Sequence, residues 1–443
     1  MRIWGKHRIT TFQIIALGFV LMILAGTLLL MLPISSREGS GVNFSDCLFT
    51  ATSAVCVTGL VVRDTVTCWS TFGQAVILFL IQIGGMGVVT AALTLSYLSG
   101  RRIGLMQRSV MQEAISAPQV GGIVRLTRFI VQTTLAIELI GSLLLMTVFI
   151  PEFGWGTGIW YSVFHCVSAF CNAGFDLMGV HGKFSSLTSY AQNVIVNVVL
   201  VLLITIGGIG FLVWNDVKEH RFRLKQYRLQ SKIALAASGA MILIPFAWFL
   251  LTEMEQLPMD KRILPSLFQS VTLRTAGFNT MELNGVSGDS QALMILWMLI
   301  GGSPGSTAGG MKTTTGAILL LTALSIFHRR EQVTCFGRRV NDETVRNAVA
   351  LMIMYFALFF AGGLIISKVE TLPLRSCLFE TASALGTVGL SLGITTRIGD
   401  LSRIILVVLM FMGRVGGLTL IYAAHSVRRT SVSTLPMEKV TVG

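Results

Sequence analysis

Thr275-Ala276-Gly277-Phe278 is the stretch whose reading decides the fold, because the chain repeats its pattern at three other places. The relatives are Val57-Thr58-Gly59-Leu60, Asn172-Ala173-Gly174-Phe175 and Thr387-Val388-Gly389-Leu390. Each ends in Gly and a bulky apolar residue, and each closes a short helix-like run, at 44–55, 161–171, 264–273 and 374–385. A long apolar segment precedes each run and another follows. Self-similarity of this kind marks a repeated structural unit. It predicts four pore units: 1–115 with an N-terminal tail, 116–230, 231–342, and 343–443 with a C-terminal tail.

Composition sets the solvent. Only 12% of residues are charged, 53% are hydrophobic and mean hydropathy is +0.74, whereas a water-soluble domain carries about 25% charged residues. Runs at 12–32, 75–98 and 404–424 reach the roughly 20 apolar residues that span a bilayer core. The expected class is an all-α polytopic membrane protein. The first run is too long for a signal-peptide core, and Pro33-Ile34-Ser35-Ser36 is no cleavage site. Seven cysteines without paired spacing imply no disulfide framework. Six scattered histidines show no metal-ligand spacing.

Long helices are expected at 12–32, 72–98, 123–150, 191–214, 233–251, 292–327 (interrupted), 345–366 and 404–424. With eight spans the loops sort to two sides. Most Lys and Arg residues, including Arg101, Arg102, Lys218, Arg221, Arg223, Lys225, Arg329, Arg330, Arg428 and Arg429, fall with the termini and the connections between units. The positive-inside rule puts that side, and both termini, in the cytoplasm. Most carboxylates, among them Asp46, Asp64, Asp176, Glu282 and Asp400, fall on the other side, where an acidic surface concentrates cations. The net charge of +13 therefore reports topology, not nucleic-acid binding.

The short runs are too short to cross a bilayer and read as re-entrant half-helices. Non-helical backbone at membrane depth is tolerated only when buried in protein or lining water. Four such loops meet only if the units surround one axis, which predicts a pseudo-fourfold arrangement around a single pore. Gly at each loop permits positive φ, so backbone carbonyls can replace the hydration shell of a K⁺ ion, as in potassium-channel filters. The half-helices would aim their partially negative C-terminal ends at that ion. The expected filter residues are Val57, Thr58, Gly59, Asn172, Ala173, Gly174, Thr275, Ala276, Gly277, Thr387, Val388 and Gly389.

Gly pairs recur in the helices after the loops, at Gly84-Gly85, Gly207-Gly208, Gly301-Gly302 and Gly416-Gly417. In the first two units close helix packing accounts for them. The third copy runs Gly301 to Thr315 and is too rich in Gly, with Pro304, to stay helical. It reads as a gate loop at 303–313, with Gly302, Ser303, Gly305, Ser306, Thr307, Gly309, Gly310 and Lys312 in it. A phosphate-binding loop is excluded, because Met311 separates the last Gly from Lys312 and no parallel sheet is present in the pattern. Arg414, inside the fourth unit's apolar helix, must face a cavity or a partner and is assigned to the same gate. Arg274 and Glu380 read as scaffold residues.

These residues resemble the superfamily of K⁺ transporters that includes TrkH, KtrB and the plant HKT proteins, and are most similar to KtrB. The resemblance covers essentially the whole chain. It rests on Leu32-Pro33-Ile34-Ser35, Ile81-Gln82-Ile83-Gly84-Gly85, the four loops, Arg274, Asn279 and Gly309-Gly310-Met311-Lys312-Thr313-Thr314. It implies K⁺ uptake, Na⁺-dependent in some members, with K⁺ and in those cases Na⁺ as the ions and no organic cofactor. It further implies a homodimer in the plasma (inner) membrane lipid and a cytosolic nucleotide-binding regulatory subunit of the KtrA type. Gly at all four filter positions goes with K⁺ in that family, and Ser at the first goes with Na⁺ in some plant members. Val57 departs from the Thr of two other loops, removing a hydroxyl but no carbonyl.

The competing expectations are a Na⁺-coupled or H⁺-coupled K⁺ symporter, for which Glu138 is the one strong intramembrane carboxylate, and a Na⁺ transporter of the same fold. A membrane enzyme is disfavoured, since no nucleophile–base or metal constellation shares a helix face.

Overall fold

The computed structural model describes residues 10–87, 90, 104–115, 119, 121–255, 257–424 and 438. Four long helices, Thr11–Met31, Ile123–Phe153, Leu229–Thr252 and Asp342–Glu370, are apolar and long enough to cross a membrane. Thr10 starts the first with a reciprocal cap: its hydroxyl accepts from the Gln13 N–H, and the Gln13 side chain accepts from the Thr10 N–H. Leu32-Pro33 stops it, since the residue before a proline avoids the helical region. Ile15, Phe19, Ile23 and Leu30 face inward, while Leu17, Leu21, Leu24 and Leu28 are exposed on the opposite side. Only lipid makes such an apolar outer face stable.

Inside these four stand the half-helices, Phe44–Val55, Trp155–Phe170, Met259–Thr272 and Leu374–Gly386. Their last turns are wholly buried, with Phe49, Phe164, Phe170, Phe268 and Phe379 in the core. The second and third begin six and five residues earlier than expected. Gly158 packs its backbone against Phe149 and Ile150, and Pro265 is carried inside the helix. Both residues disguise a helix start in the sequence.

The helices after the loops are not continuous. Residues 191–214, expected as one helix, form Val194–Gly208 and Phe211–His220, bent by 93°. Residues 404–424 form Asp400–Val415 and Gly417–Ala424, also bent by 93°. The first unit's helix ends at Met86, and the third is split into Gly288–Met298 and Thr313–Phe327. The corners are Gly87, Gly210 and Gly416, all at positive φ. Most of the remaining expected helix to Leu98 lies outside the described residues, as do Arg101, Arg102, Arg428 and Arg429. Close packing does hold for Gly84 and Gly207, where a Cβ would strike the carbonyls of Val55 and Phe170.

Neighbouring units are tied in a ring. Asp46 of the first unit accepts from Arg63 Nε at 2.8 Å and from Arg403 Nη1 of the fourth at 2.9 Å. Trp160 Nε1 donates to Gln74 Oε1 at 2.8 Å, joining units two and one. The Leu187 N–H donates to the Asn279 carbonyl at 3.0 Å, joining two and three. The Gly310 N–H donates to the Gly413 carbonyl at 3.1 Å, joining three and four. A two-strand hairpin, Thr334–Cys335 with Arg338–Arg339, lies in the connection between the third and fourth units.

Candidate ion pathway

Every loop has the same backbone signature. Val57, Asn172, Thr275 and Thr387 take φ of 56°, 59°, 63° and 52°, and Gly59, Gly174, Gly277 and Gly389 take 91°, 69°, 83° and 94°. Alternating the sign of φ turns successive carbonyls to one side. For Val and Thr the left-handed region costs about 1–3 kcal/mol each, so the surroundings must enforce it.

The enforcement comes from the ends of the half-helices. The Ser53 carbonyl accepts from Thr58 N at 2.8 Å and its hydroxyl from Gly59 N at 3.0 Å. Ser383 holds Val388 N and Gly389 N in the same way, at 2.8 and 3.0 Å. Ser168 accepts from Ala173 N and donates to the Phe175 carbonyl, each at 2.7 Å. In the third unit Thr272 accepts from Ala276 N at 3.0 Å and donates to the Phe278 carbonyl. These anchors were missed from the sequence, although a Ser six residues before the loop Gly recurs in three units.

The four glycines form a closed cycle. A Cβ on Gly59 would meet the Ala173 carbonyl, one on Gly174 the Ala276 carbonyl, one on Gly277 the Val388 carbonyl, and one on Gly389 the Thr58 carbonyl. The meeting place of the loops is thus built from bare backbone of all four units, and the structure brings the four expected glycines together with Thr58, Ala173, Ala276 and Val388. A cavity of about 580 Å³ opens on one side of the ring, bounded by the four glycines, Asp64, Asp176 and Glu282, with Lys183 and Arg397 at its wall. Asp176 stands in the connection after the second loop and accepts from the Met178 N–H at 2.9 Å. Burial, with Asp64 adding to it against that hydrogen bond, pushes its carboxyl up to about 7.

On the other side of the ring the segment between Met298 and Thr313 is unwound. A Cβ on Gly309 would meet the Thr387 side chain and one on Gly310 the Gly386 carbonyl, so the segment lies directly against the fourth repeated loop. It is held on three sides. Ser303 N and Thr307 N donate to the Gly208 and Gly207 carbonyls at 3.0 and 3.2 Å. The Thr307 hydroxyl donates to the Phe170 carbonyl at 3.0 Å, and Phe211 N donates to the Gly305 carbonyl at 2.6 Å. Ser303 and Thr313 share a hydroxyl hydrogen bond, and Lys312 Nζ donates back to the Ala308 carbonyl at 2.8 Å.

Arg414 locks the assembly. Its guanidinium donates to the Thr307 carbonyl of the loop and to the Gly84 and Gly85 carbonyls of the first unit. Three carbonyls supply the partners an intramembrane arginine needs. A second cavity of about 240 Å³ lies beyond, lined by Gly305, Ser306, Gly310, Lys312 and Arg414. Arg274 and Glu380 do not pair. Arg274 donates to the Ser238 hydroxyl at 3.0 Å, and Glu380 accepts from Ser391, Leu392 N and Thr395. Glu138 is buried and accepts from Gln82 Nε2 at 3.3 Å; Gln82 in turn takes the Cys171 thiol, beside Asn172.

A family model described as "TrkH: Cation transport protein" matches residues 7–429. The chain is 39% identical to the potassium/sodium uptake protein NtpJ of Enterococcus hirae, over 94% of this chain and 93% of that one. It is 36% identical to the Ktr system potassium uptake protein B of Bacillus subtilis, over 96% and 95% of the two chains. The crystal structure of the potassium transporter TrkH from Vibrio parahaemolyticus superposes with a TM-score of 0.74 at 18% identity, covering 95% of this chain and 86% of that one. The fold of four helix–loop–helix units around one pore is therefore shared with that protein. The chain belongs to the TrkH family of membrane cation transport proteins, and it is not an enzyme.

Proposed function

We propose that this chain is the ion-translocating subunit of a K⁺ uptake system, passing dehydrated K⁺ through the carbonyl ring at Gly59, Gly174, Gly277 and Gly389. The observation that carries this reading is the closed cycle of glycines with its repeated positive-φ pattern. Backbone oxygens at that spacing substitute for water around a monovalent cation, and no carboxylate lies in the loops. The half-helix ends converge on the same place and add partial negative charge. The printed names of the relatives, potassium and potassium/sodium uptake proteins, agree with this chemistry.

The loop at 303–313 with Arg414 is the gate in this reading, since it stands between the ring and the second cavity. The pore units divide at 115/116, 230/231 and 342/343. The chain sits in the plasma membrane with both termini in the cytoplasm, as the basic connections indicate. Those connections expose Arg221, Arg223, Lys225, Arg329, Arg330, Arg338 and Arg339 together with Phe222, which is 98% exposed. Exposed cations around an exposed aromatic suit a protein partner, here a cytosolic nucleotide-binding regulatory subunit bound to a homodimer. Its relatives named as Ktr system components support that assignment.

The test is cation flux in liposomes with Gly277→Ser. The new side chain meets the Val388 carbonyl at a residue with φ of 83°. K⁺ flux should fall by about tenfold, equal to ~1.4 kcal/mol in the barrier, with a lower K⁺ over Na⁺ preference. Unchanged selectivity in a folded variant overturns the filter assignment.

A further inference from the structure

We propose that Asp216, Glu219 and His220 form a site for a transition-metal ion of the Zn²⁺ class, placed so that its occupancy stiffens a support of the gate loop. The second half of this proposal rests on the gate reading above; the first half does not. The three residues occupy the last turn of the short helix Phe211–His220, and their ligand atoms all lie within 4.8 Å of one another. Positions i, i+3 and i+4 share one helix face. Sequence spacing of histidines alone does not find this set, because only one imidazole takes part.

Two of the three are short of partners. Asp216 is fully buried, and among the described residues its Oδ1 has no hydrogen-bond partner. The Arg228 Nε stands 3.5 Å from that oxygen, on a side chain that is 45% exposed. His220 Nδ1 is likewise buried without a hydrogen bond. A buried carboxylate oxygen left without a hydrogen bond is costly, and a cation bound by both groups removes that cost. Glu219 is exposed and, among the described residues, takes the Asn215 amide at 2.9 Å. Two carboxylates and one imidazole are a mixed oxygen and nitrogen set, which suits Zn²⁺ or Mn²⁺ better than Ca²⁺. Three protein ligands leave the open fourth position of a tetrahedral ion to water. The Arg228 guanidinium, 3.5 Å from the buried Asp216 Oδ1, is the competing charge, and its half-exposed side chain has room to turn into water when an ion takes that oxygen.

The location connects the site to the loop. Asp216 Oδ2 accepts from the Arg228 N–H at 3.0 Å, which ties this short helix to the start of Leu229–Thr252. At the helix's other end Phe211 N donates to the Gly305 carbonyl of the loop. An ion on its last turn fixes the corner between the two helices and so restrains the loop in the arrangement seen.

Full-length protein stripped with a chelator and titrated with Co²⁺ gives the direct test, since coordinated Co²⁺ shows visible absorption bands. One site per chain is expected, displaced by Zn²⁺, with at least about tenfold weaker binding (~1.4 kcal/mol) in His220→Ala and in Glu219→Gln. Both variants leave the buried Asp216 tether intact. Absence of bands, or unaltered binding in both variants, overturns the site. In liposomes, Zn²⁺ on the side of the inter-unit connections should slow K⁺ flux in the natural protein and not in His220→Ala. Binding without an effect on flux, or equal inhibition of both, overturns the coupling to the loop. Failure of the carbonyl-ring reading would instead show as unchanged selectivity in Gly277→Ser, with the Co²⁺ titration unaffected.

Discussion

Arg414 holds three carbonyls from two units, a task that needs the planar, multi-donor guanidinium. Arg414→Ala should free Thr307 and raise basal K⁺ flux several-fold in liposomes. Arg414→Lys, a single ammonium, should fall between the two; flux like the natural protein in Arg414→Ala would reduce the residue to packing. Asp176 makes a different prediction. Its carboxyl, raised by burial to about 7, is protonated below that pH, so the vestibule loses one negative charge on acidification. K⁺ uptake at low external K⁺ should weaken as external pH falls through about 7, and Asp176→Asn should flatten that profile. Arg414 was legible because an arginine in an apolar run has few explanations. Ser53, Ser168 and Ser383 were not, because a serine in a half-helix looks like any other until its carbonyl and hydroxyl are seen on the loop N–H groups or carbonyl.

At the scale of elements, the informative feature is that the helix after the loop breaks in the second, third and fourth units and ends at Met86 in the first. Glycine in an apolar helix serves equally for close packing and for a corner, and composition cannot separate the two. The structure does: Gly84 and Gly207 allow contact, whereas Gly87, Gly210 and Gly416 turn the chain at positive φ. Gly210 stands at φ of 102°, and a Cβ there would lie 2.9 Å from the Pro304 carbonyl. Gly210→Ala should therefore cost about 1–3 kcal/mol, read as a lower melting temperature. It should also speed amide exchange through residues 299–312, because the bend carries the Phe211 N–H to Gly305. The ends of the half-helices, by contrast, were readable to within a residue or so, since each ends at a loop that the chain repeats.

Across the whole molecule, repetition in the sequence implied an axis but not which unit touches which. The cycle of contacts supplies that order, and Asp46 closes it between the first and fourth units. Its side chain is 4% exposed and faces Arg63 and Arg403. Asp46→Asn should destabilise the detergent-solubilised protein by on the order of 2–3 kcal/mol, because it leaves the partly buried Arg403 with only the exposed Asp400, 3.7 Å away, as counter-charge. A thermal shift of the kind seen for an exposed pair would place the closure elsewhere.

The same closure has a consequence for biogenesis. The Thr58 carbonyl meets Gly389, and Gln13 Nε2 donates to the Ala423 carbonyl at 2.9 Å, so the contact between the first and fourth units can form only after the fourth is made. A ribosome-bound chain with three units in the bilayer has an open arc in place of a conduit. A prematurely terminated product would accordingly be inert toward the cell's ionic gradients, not a leak in them.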